Sequence, residues 1–315
     1  MIDPMTDQPV HVTVPDEGWL DRLEDLHDRV ELSVWDFAAP QPDGRIDLAV
    51  RPYTPSPGGL ATLDASRIVA VQLQTLGFDG VPDQLPAGII CCNAVGVHEG
   101  STAELAIALL LASQRNLDAY ARERGEWHRR WGTSIADRRV MLLGYGGIGT
   151  EIEKRLEGFD AELVRVAGHA RKDERGEIHG SDELARLLPT VDVVMVAVPL
   201  SPANVGLIDD EFLNALPDDA VVVNVSRGKI ADTDAIVRQT GRIRYATDVT
   251  DPEPLPADHP LWSTPGVLVS PHVGGMSSAM QPRIDRVVRD QITRLLNGEP
   301  LASVVVPAEG LEGST

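Results

Sequence analysis

Three chemically capable side chains follow one another down this chain, each just beyond a short apolar run. They stand in Asn224-Val-Ser-Arg227-Gly228, Asp248-Val-Thr-Asp-Pro-Glu253-Pro254 and Ser270-Pro271-His272-Val-Gly274-Gly275. A planar guanidinium binds a carboxylate and a neighbouring carbonyl oxygen together, which suits Arg227 to a 2-keto acid. A carboxylate beside an imidazole stabilises the imidazolium, lifting a reference pKa of about 6.5 toward or above neutrality. Glu253 and His272 so paired would give a proton to a developing alkoxide and take it back in the reverse direction. Taken singly, each residue has an ordinary structural alternative: a surface ion pair, a loop charge, a satisfied core histidine. Joint placement after three successive strand-like runs predicts a catalytic trio of Arg227, Glu253 and His272.

Upstream lies a glycine fingerprint, Gly144-Tyr-Gly146-Gly147-Ile148-Gly149, between the apolar run 139–143 and a helix marked by Ile148, Ile152 and Leu156. Gly144 permits the tight turn, Gly146 lets backbone approach a pyrophosphate, and Gly149 lets the helix close on the strand. Helix-start amides from Gly147 onward favour phosphate. The chemistry expected is hydride transfer between a nicotinamide dinucleotide and a 2-keto acid. An NAD site carries an acidic residue about 20 residues past the glycines. Here that window reads Val166-Ala-Gly-His169-Ala-Arg171-Lys172, with no carboxylate before Asp173. His169 and Arg171 are therefore expected to hold a 2′-phosphate, which favours NADP, with NAD as second choice. Asp173 would reverse that choice if the strand ran further.

The elements that must position these groups alternate. Strand-like runs occur at 10–14, 30–35, 48–50, 68–71 and 89–92, then at 139–143, 163–166, 191–198, 220–225, 243–248 and 267–270. Helical spacing separates them, which predicts parallel sheets with helices on both faces. A helix is predicted over 101–117, capped by Ser101 and apolar nearly all round, hence buried between lobes or between subunits. A charged stretch over 122–131, with Trp127 and Trp131, is read as the crossing into the second lobe. A last helix over 277–296 has the length to return to the first.

The 315 residues suit one large or two medium domains, and the net charge of −20 argues against nucleic acid and anionic membrane as partners. The N-terminal residues lack the pattern of a signal peptide, and no apolar run has the length to span a bilayer. Cys91 and Cys92 are adjacent and read as buried strand residues. No metal site is expected, and the compartment expected is the cytoplasm.

From about Ile68 to Val306 the chain resembles the D-isomer-specific 2-hydroxyacid dehydrogenase family. Beside the fingerprint and the trio, Thr75-Leu76-Gly77-Phe-Asp79 resembles the family's substrate-carboxylate loop, whose backbone amides hold the acid. Thr102-Ala-Glu104 resembles its cofactor-contacting turn, and Val198-Pro199-Leu200 its adenosine-side strand end. Asp248 stands where the family has an acidic residue near the nicotinamide carboxamide. The resemblance implies an α/β fold of two lobes, with a Rossmann-type dinucleotide-binding domain (94–276) inserted into a flavodoxin-like substrate domain (1–93 and 277–315). It also implies a site between the lobes and a homodimer, whose contact the 101–117 helix would suit. No added regulatory domain is expected after 304–307, and no basic cluster for a substrate phosphate is evident. A small acid such as glyoxylate, hydroxypyruvate or glycerate is expected. The alternatives are a phosphoglycerate dehydrogenase, a formate dehydrogenase, against which Glu253 counts because those enzymes pair the histidine with glutamine, and a dinucleotide-sensing corepressor.

Overall fold

The structure, a computed structural model, describes residues 9–54, 59–123, 125 and 127–308. In chain order its strands are β1 (Val10–Val14), β2 (Val30–Val34), β3 (Leu48–Val50), β4 (Ala70–Gln72), β5 (Ile90–Cys92), β6 (Arg139–Leu143) and β7 (Glu162–Ala167). Then come β8 (Arg171–Asp173), β9 (Gly176–Gly180), β10 (Val193–Val196), β11 (Val221–Asn224), β12 (Arg244–Thr247), β13 (Val267–Val269) and β14 (Val304–Val306). Its helices are α1 (Glu17–Arg22), α2 (Val81–Gln84), α3 (Glu99–Gln114), α4 (Leu117–Arg122) and α5 (Gly147–Leu156). They continue as α6 (Leu184–Leu187), α7 (Asp210–Ala215), α8 (Thr233–Arg238) and α9 (Met280–Asn297).

Two compact units result, one holding the chain up to His98 and again from Ser278, the other Glu99–Ser277. In the first, the sheet order is β14-β5-β4-β3-β1-β2. Setting aside antiparallel β14, this is the 2-1-3-4-5 order of flavodoxin-like folds. Leu48, Ala49, Val50, Ala70 and Val71 are fully buried, as expected of strands covered on both faces. One face packs on Ile284, Val288, Ile292 and Leu295, the apolar stripe of α9. That helix begins at Met280 rather than 277, because residues 275–277 are held in turns, with the Met276 N–H on the Val273 carbonyl. Cys91 and Cys92 are buried and unbridged, and burial pushes both thiols up to about 12, so they stay protonated at neutral pH.

The second unit carries the order β13-β12-β11-β10-β6-β7-β9-β8. Read from β9 to β12 this is the 3-2-1-4-5-6 arrangement of doubly wound dinucleotide-binding sheets, extended by β13. The chain reverses direction across the sheet between β6 and β10, and the glycine fingerprint follows β6. Both sheets match the expected two-lobed α/β fold.

The 101–117 expectation needs correction. The helix starts at Glu99, so Ser101 lies inside it, where its hydroxyl shares a 2.6 Å hydrogen bond with that of Ser277. Ala103, Ala106, Leu109 and Leu110 join a core with Val140, Ile152, Val193 and Val223 of the same unit. Its buried positions are thus filled within this unit, while Leu105, Ala108, Leu111 and Ala112 leave a partly open apolar stripe. The β8–β9 hairpin and β14 were not anticipated. Among the described residues no helix is long and apolar enough to cross a membrane, and no cluster of His, Cys, Asp and Glu is arranged to hold a metal. The expectation of a loose segment at 309–315 falls outside the described residues.

Candidate active site

At the switch point, Gly144 has φ +103°, and a Cβ there would lie 2.5 Å from the carbonyl carbon of Ala197, just past β10. A side chain would push the two strand ends apart. Gly149 backs onto the Gly144 carbonyl, which seats the first turn of α5, with Ile148 half-buried against the core. A Cβ on Gly146 would meet nothing within 4 Å, so the backbone there faces open space. Val198 and Pro199 leave the end of β10, Val198 against Gly144, and their carbonyls accept from the Ser226 hydroxyl and the Asn204 amide.

Strand β7 stops at Ala167. His169 follows, exposed, and Arg171 opens β8 with its Nη2 donating to the Tyr145 carbonyl at 3.0 Å. Asp173 is not on the end of β7. It belongs to the hairpin, paired with Gly176, and its Oδ1 accepts from the Arg175 N–H at 2.9 Å.

Arg227, Glu253 and His272 follow β11, β12 and β13, three adjacent parallel strands. Asn224 ends β11 fully buried and shapes the arginine turn: its Oδ1 accepts from the Ser226 N–H, and its Nδ2 donates to the Arg227 carbonyl and to the Tyr245 hydroxyl. A Cβ on Gly228 would lie 1.9 Å from the Thr250 carbonyl oxygen, so only glycine lets this turn press against the start of the Glu253 loop. Arg227 is half-buried, with Nη1 donating to the Ser226 carbonyl at 2.7 Å. Nδ1 of His272 lies 2.9 Å from Oε1 of Glu253, both side chains open to solvent at 45% and 44%.

Asp248 ends the β12 run and is 2% exposed. Its Oδ2 accepts from the Gly274 N–H at 3.0 Å, while Oδ1 is buried with no hydrogen-bond partner. Burial pushes this carboxyl above its ordinary range, against the pull of nearby His272. Thr102 approaches the same point: a Cβ on Gly274 would lie 3.0 Å from Asp248 Oδ2 and 3.2 Å from Thr102 Oγ1. An orphaned acceptor beside the histidine strand and open space over Gly146 fit the two ends of a dinucleotide, the carboxamide and the pyrophosphate.

Leu76 and Gly77 stand in the first unit, beyond β4. Asn93 Nδ2 donates to the Leu76 carbonyl at 2.7 Å and Thr75 Oγ1 to that of Gly77 at 2.8 Å. Sequence reading missed the buried supports: Asn224 and Tyr245 under the arginine turn, and Glu153 under the glycine loop. A polar residue closing the run Val221-Val-Val-Asn224 was the available signal for the first.

Comparison with known proteins gives the family. The D-isomer specific 2-hydroxyacid dehydrogenase, NAD binding domain family matches residues 107–274. The chain belongs to that family. It is an NAD(P)-dependent dehydrogenase acting between small 2-keto acids and 2-hydroxy acids. A glyoxylate reductase/hydroxypyruvate reductase of Homo sapiens is 31% identical, with 77% of each chain covered. A glyoxylate reductase of Korarchaeum cryptofilum is 29% identical over 91% of each. Among solved structures, a D-isomer specific 2-hydroxyacid dehydrogenase of Xanthobacter autotrophicus in complex with NADPH and MES superposes with a TM-score of 0.79 at 25% identity, covering 95% of this chain and 98% of that one.

Proposed function

We propose that this dehydrogenase reduces small unphosphorylated 2-keto acids, glyoxylate and hydroxypyruvate among them, to D-2-hydroxy acids with NADPH. The 2.9 Å pairing of His272 with Glu253, on the strand neighbouring that of Arg227, carries the proposal. Bound nicotinamide supplies the hydride. Arg227 receives the carboxylate and carbonyl oxygens, holding the keto carbon polarised. The backbone amides of Leu76 and Gly77 serve the carboxylate. With Nδ1 of His272 turned to Glu253, Nε2 is the nitrogen left to give the alkoxide its proton and to recover it in the reverse direction. Asp248 Oδ1 accepts from the carboxamide, with Thr102 beside it. The amides opening α5, from Gly147 on, take the pyrophosphate over Gly146, and Val198 and Pro199 border the adenosine. The unit Glu99–Ser277 is the dinucleotide-binding domain in this reading, and the other unit the substrate domain. Glu253 speaks against formate oxidation, which needs no proton shuttle.

The preference for NADPH rests on β7 ending without a carboxylate and on Arg171 leaning over the glycine loop. One or two charge-assisted contacts to a 2′-phosphate favour NADPH by about ten- to a hundredfold. Titration of both reduced cofactors, with a panel of 2-keto acids under each, is expected to show that ratio and its loss in Arg171→Ala. Equal or tighter NADH binding that ignores Arg171→Ala would overturn the cofactor reading.

Two copies are expected to associate. Trp127 and Trp131 are 89% and 99% exposed within five residues of each other, more aromatic surface than a solitary chain commonly leaves in water. Light scattering should return twice the chain mass of 34.0 kDa and fall toward the single mass when both are changed to alanine. A wild-type mass of one chain would refute the dimer. The cytoplasm, where thiols such as Cys91 and Cys92 stay reduced, is the compartment we propose.

A further inference from the structure

One buried carboxylate in the second unit has no part in the chemistry above. Glu153 lies on α5, 2% exposed, where an unpaired charge would be costly. Three donors from three elements converge on it. The Tyr145 hydroxyl, from within the glycine fingerprint, donates to Oε2. Arg165, on β7, donates to Oε1 through Nε at 2.8 Å and through Nη2. Arg175, in the β8–β9 turn, reaches Oε2 at 3.1 Å. Arg165 also donates to the Arg175 carbonyl at 3.0 Å and sets its guanidinium 5.6 Å from the Tyr145 ring centroid. Burial alone would raise the Glu153 carboxyl, but the guanidinium and phenol hydrogen bonds outweigh it and hold it low, so it is charged at neutral pH.

The inner strand of the β8–β9 hairpin is anchored by Ile178, 1% exposed in the core of this unit, and the cluster ties down its turn. Strand β9 joins the sheet through only two paired positions, Val166–His179 and Ala167–Gly180, and β8 lies exposed outside it. Arg171 sits on β8, and its Nη2 meets the carbonyl of the same Tyr145 whose hydroxyl Glu153 grips. Tyr145 is thereby held at both ends, and the turn that follows Arg171 is tied down through Arg175.

We propose that Glu153 is a positioning residue for cofactor choice, locking the glycine loop to the β8–β9 hairpin so that Arg171 is aimed at the 2′-phosphate of NADPH. The proposal rests on the reading of Arg171 given above. Its effect is confined to the cofactor that carries that phosphate.

The test compares Glu153→Gln and Tyr145→Phe with wild type, measuring KM for NADPH and for NADH, kcat at saturating NADPH, and thermal melting. Glu153→Gln should raise KM for NADPH about tenfold, with KM for NADH and kcat changing less than about twofold. Tyr145→Phe should raise KM for NADPH in the same sense. A merely structural role would lower the melting temperature and move both cofactors together, and that result overturns the proposal. If Glu153→Gln does not fold, Tyr145→Phe decides alone, and an unchanged NADPH-to-NADH ratio in it refutes the lock. A wild type that prefers NADH defeats the Arg171 reading and this inference together. A wild-type NADPH preference lost in Arg171→Ala but kept in Glu153→Gln and Tyr145→Phe defeats the inference alone.

Discussion

His272→Ala is expected to lower kcat for keto-acid reduction by about a hundred- to ten-thousandfold, the usual contribution of a positioned general acid. Cofactor binding should be nearly untouched, because the groups assigned to the dinucleotide stand on other elements: the Gly144–Gly149 loop, Arg171 and Asp248. The histidine is exposed at the end of β13, so alanine leaves no buried cavity and the fold should survive. Glu253→Gln keeps a hydrogen-bond acceptor 2.9 Å from Nδ1 but removes the charge, and should cost less than losing the ring. The check is steady-state reduction of hydroxypyruvate, with NADPH binding followed by fluorescence. Near wild-type turnover in His272→Ala would remove the histidine from the mechanism.

Arg227→Lys is the second large effect. Lysine keeps the charge but cannot present two parallel N–H donors, so the carboxylate and the carbonyl oxygen are no longer held together. Losing one charge-assisted hydrogen bond costs about 1.5–3 kcal/mol, or about one to two decades in kcat/KM. Both parameters should move, KM upward and kcat downward, because the guanidinium binds the ground state and polarises the carbonyl. Gly228, closed against the Thr250 backbone, keeps the turn in place in the variant, so thermal melting should change little. Unchanged kinetics would make Arg227 a structural residue of the turn held by Asn224.

Much of this was legible in the sequence because both sheets are covered on both faces. Strands such as Val221–Asn224 and Val193–Val196 are buried along their whole length and read as unbroken apolar runs bounded by turn residues. The glycine fingerprint was legible for the same reason, since strand and helix on either side announce themselves. The β8–β9 hairpin was not. Arg171-Lys172-Asp173 is exposed on an edge and pairs only across its own turn, so no apolar pattern betrays it. Ser101 misled because a serine ahead of an apolar run resembles a cap; the helix begins two residues earlier, and the hydroxyl finds Ser277 instead. Nothing in the helix pattern around Glu153 singles it out. Its partners Tyr145, Arg165 and Arg175 lie 8, 12 and 22 positions away on other elements, and only folding brings them together.

The most direct measurement of the central claim follows the hydride itself. Hydroxypyruvate is reduced by the purified protein with NADPH deuterated at the transferable position, and the product is analysed for configuration and label. The expected product is D-glycerate carrying one deuterium at C2, formed by the wild type and nearly absent with His272→Ala. L-glycerate, an unlabelled C2, or no reduction of any small 2-keto acid with either cofactor would contradict it.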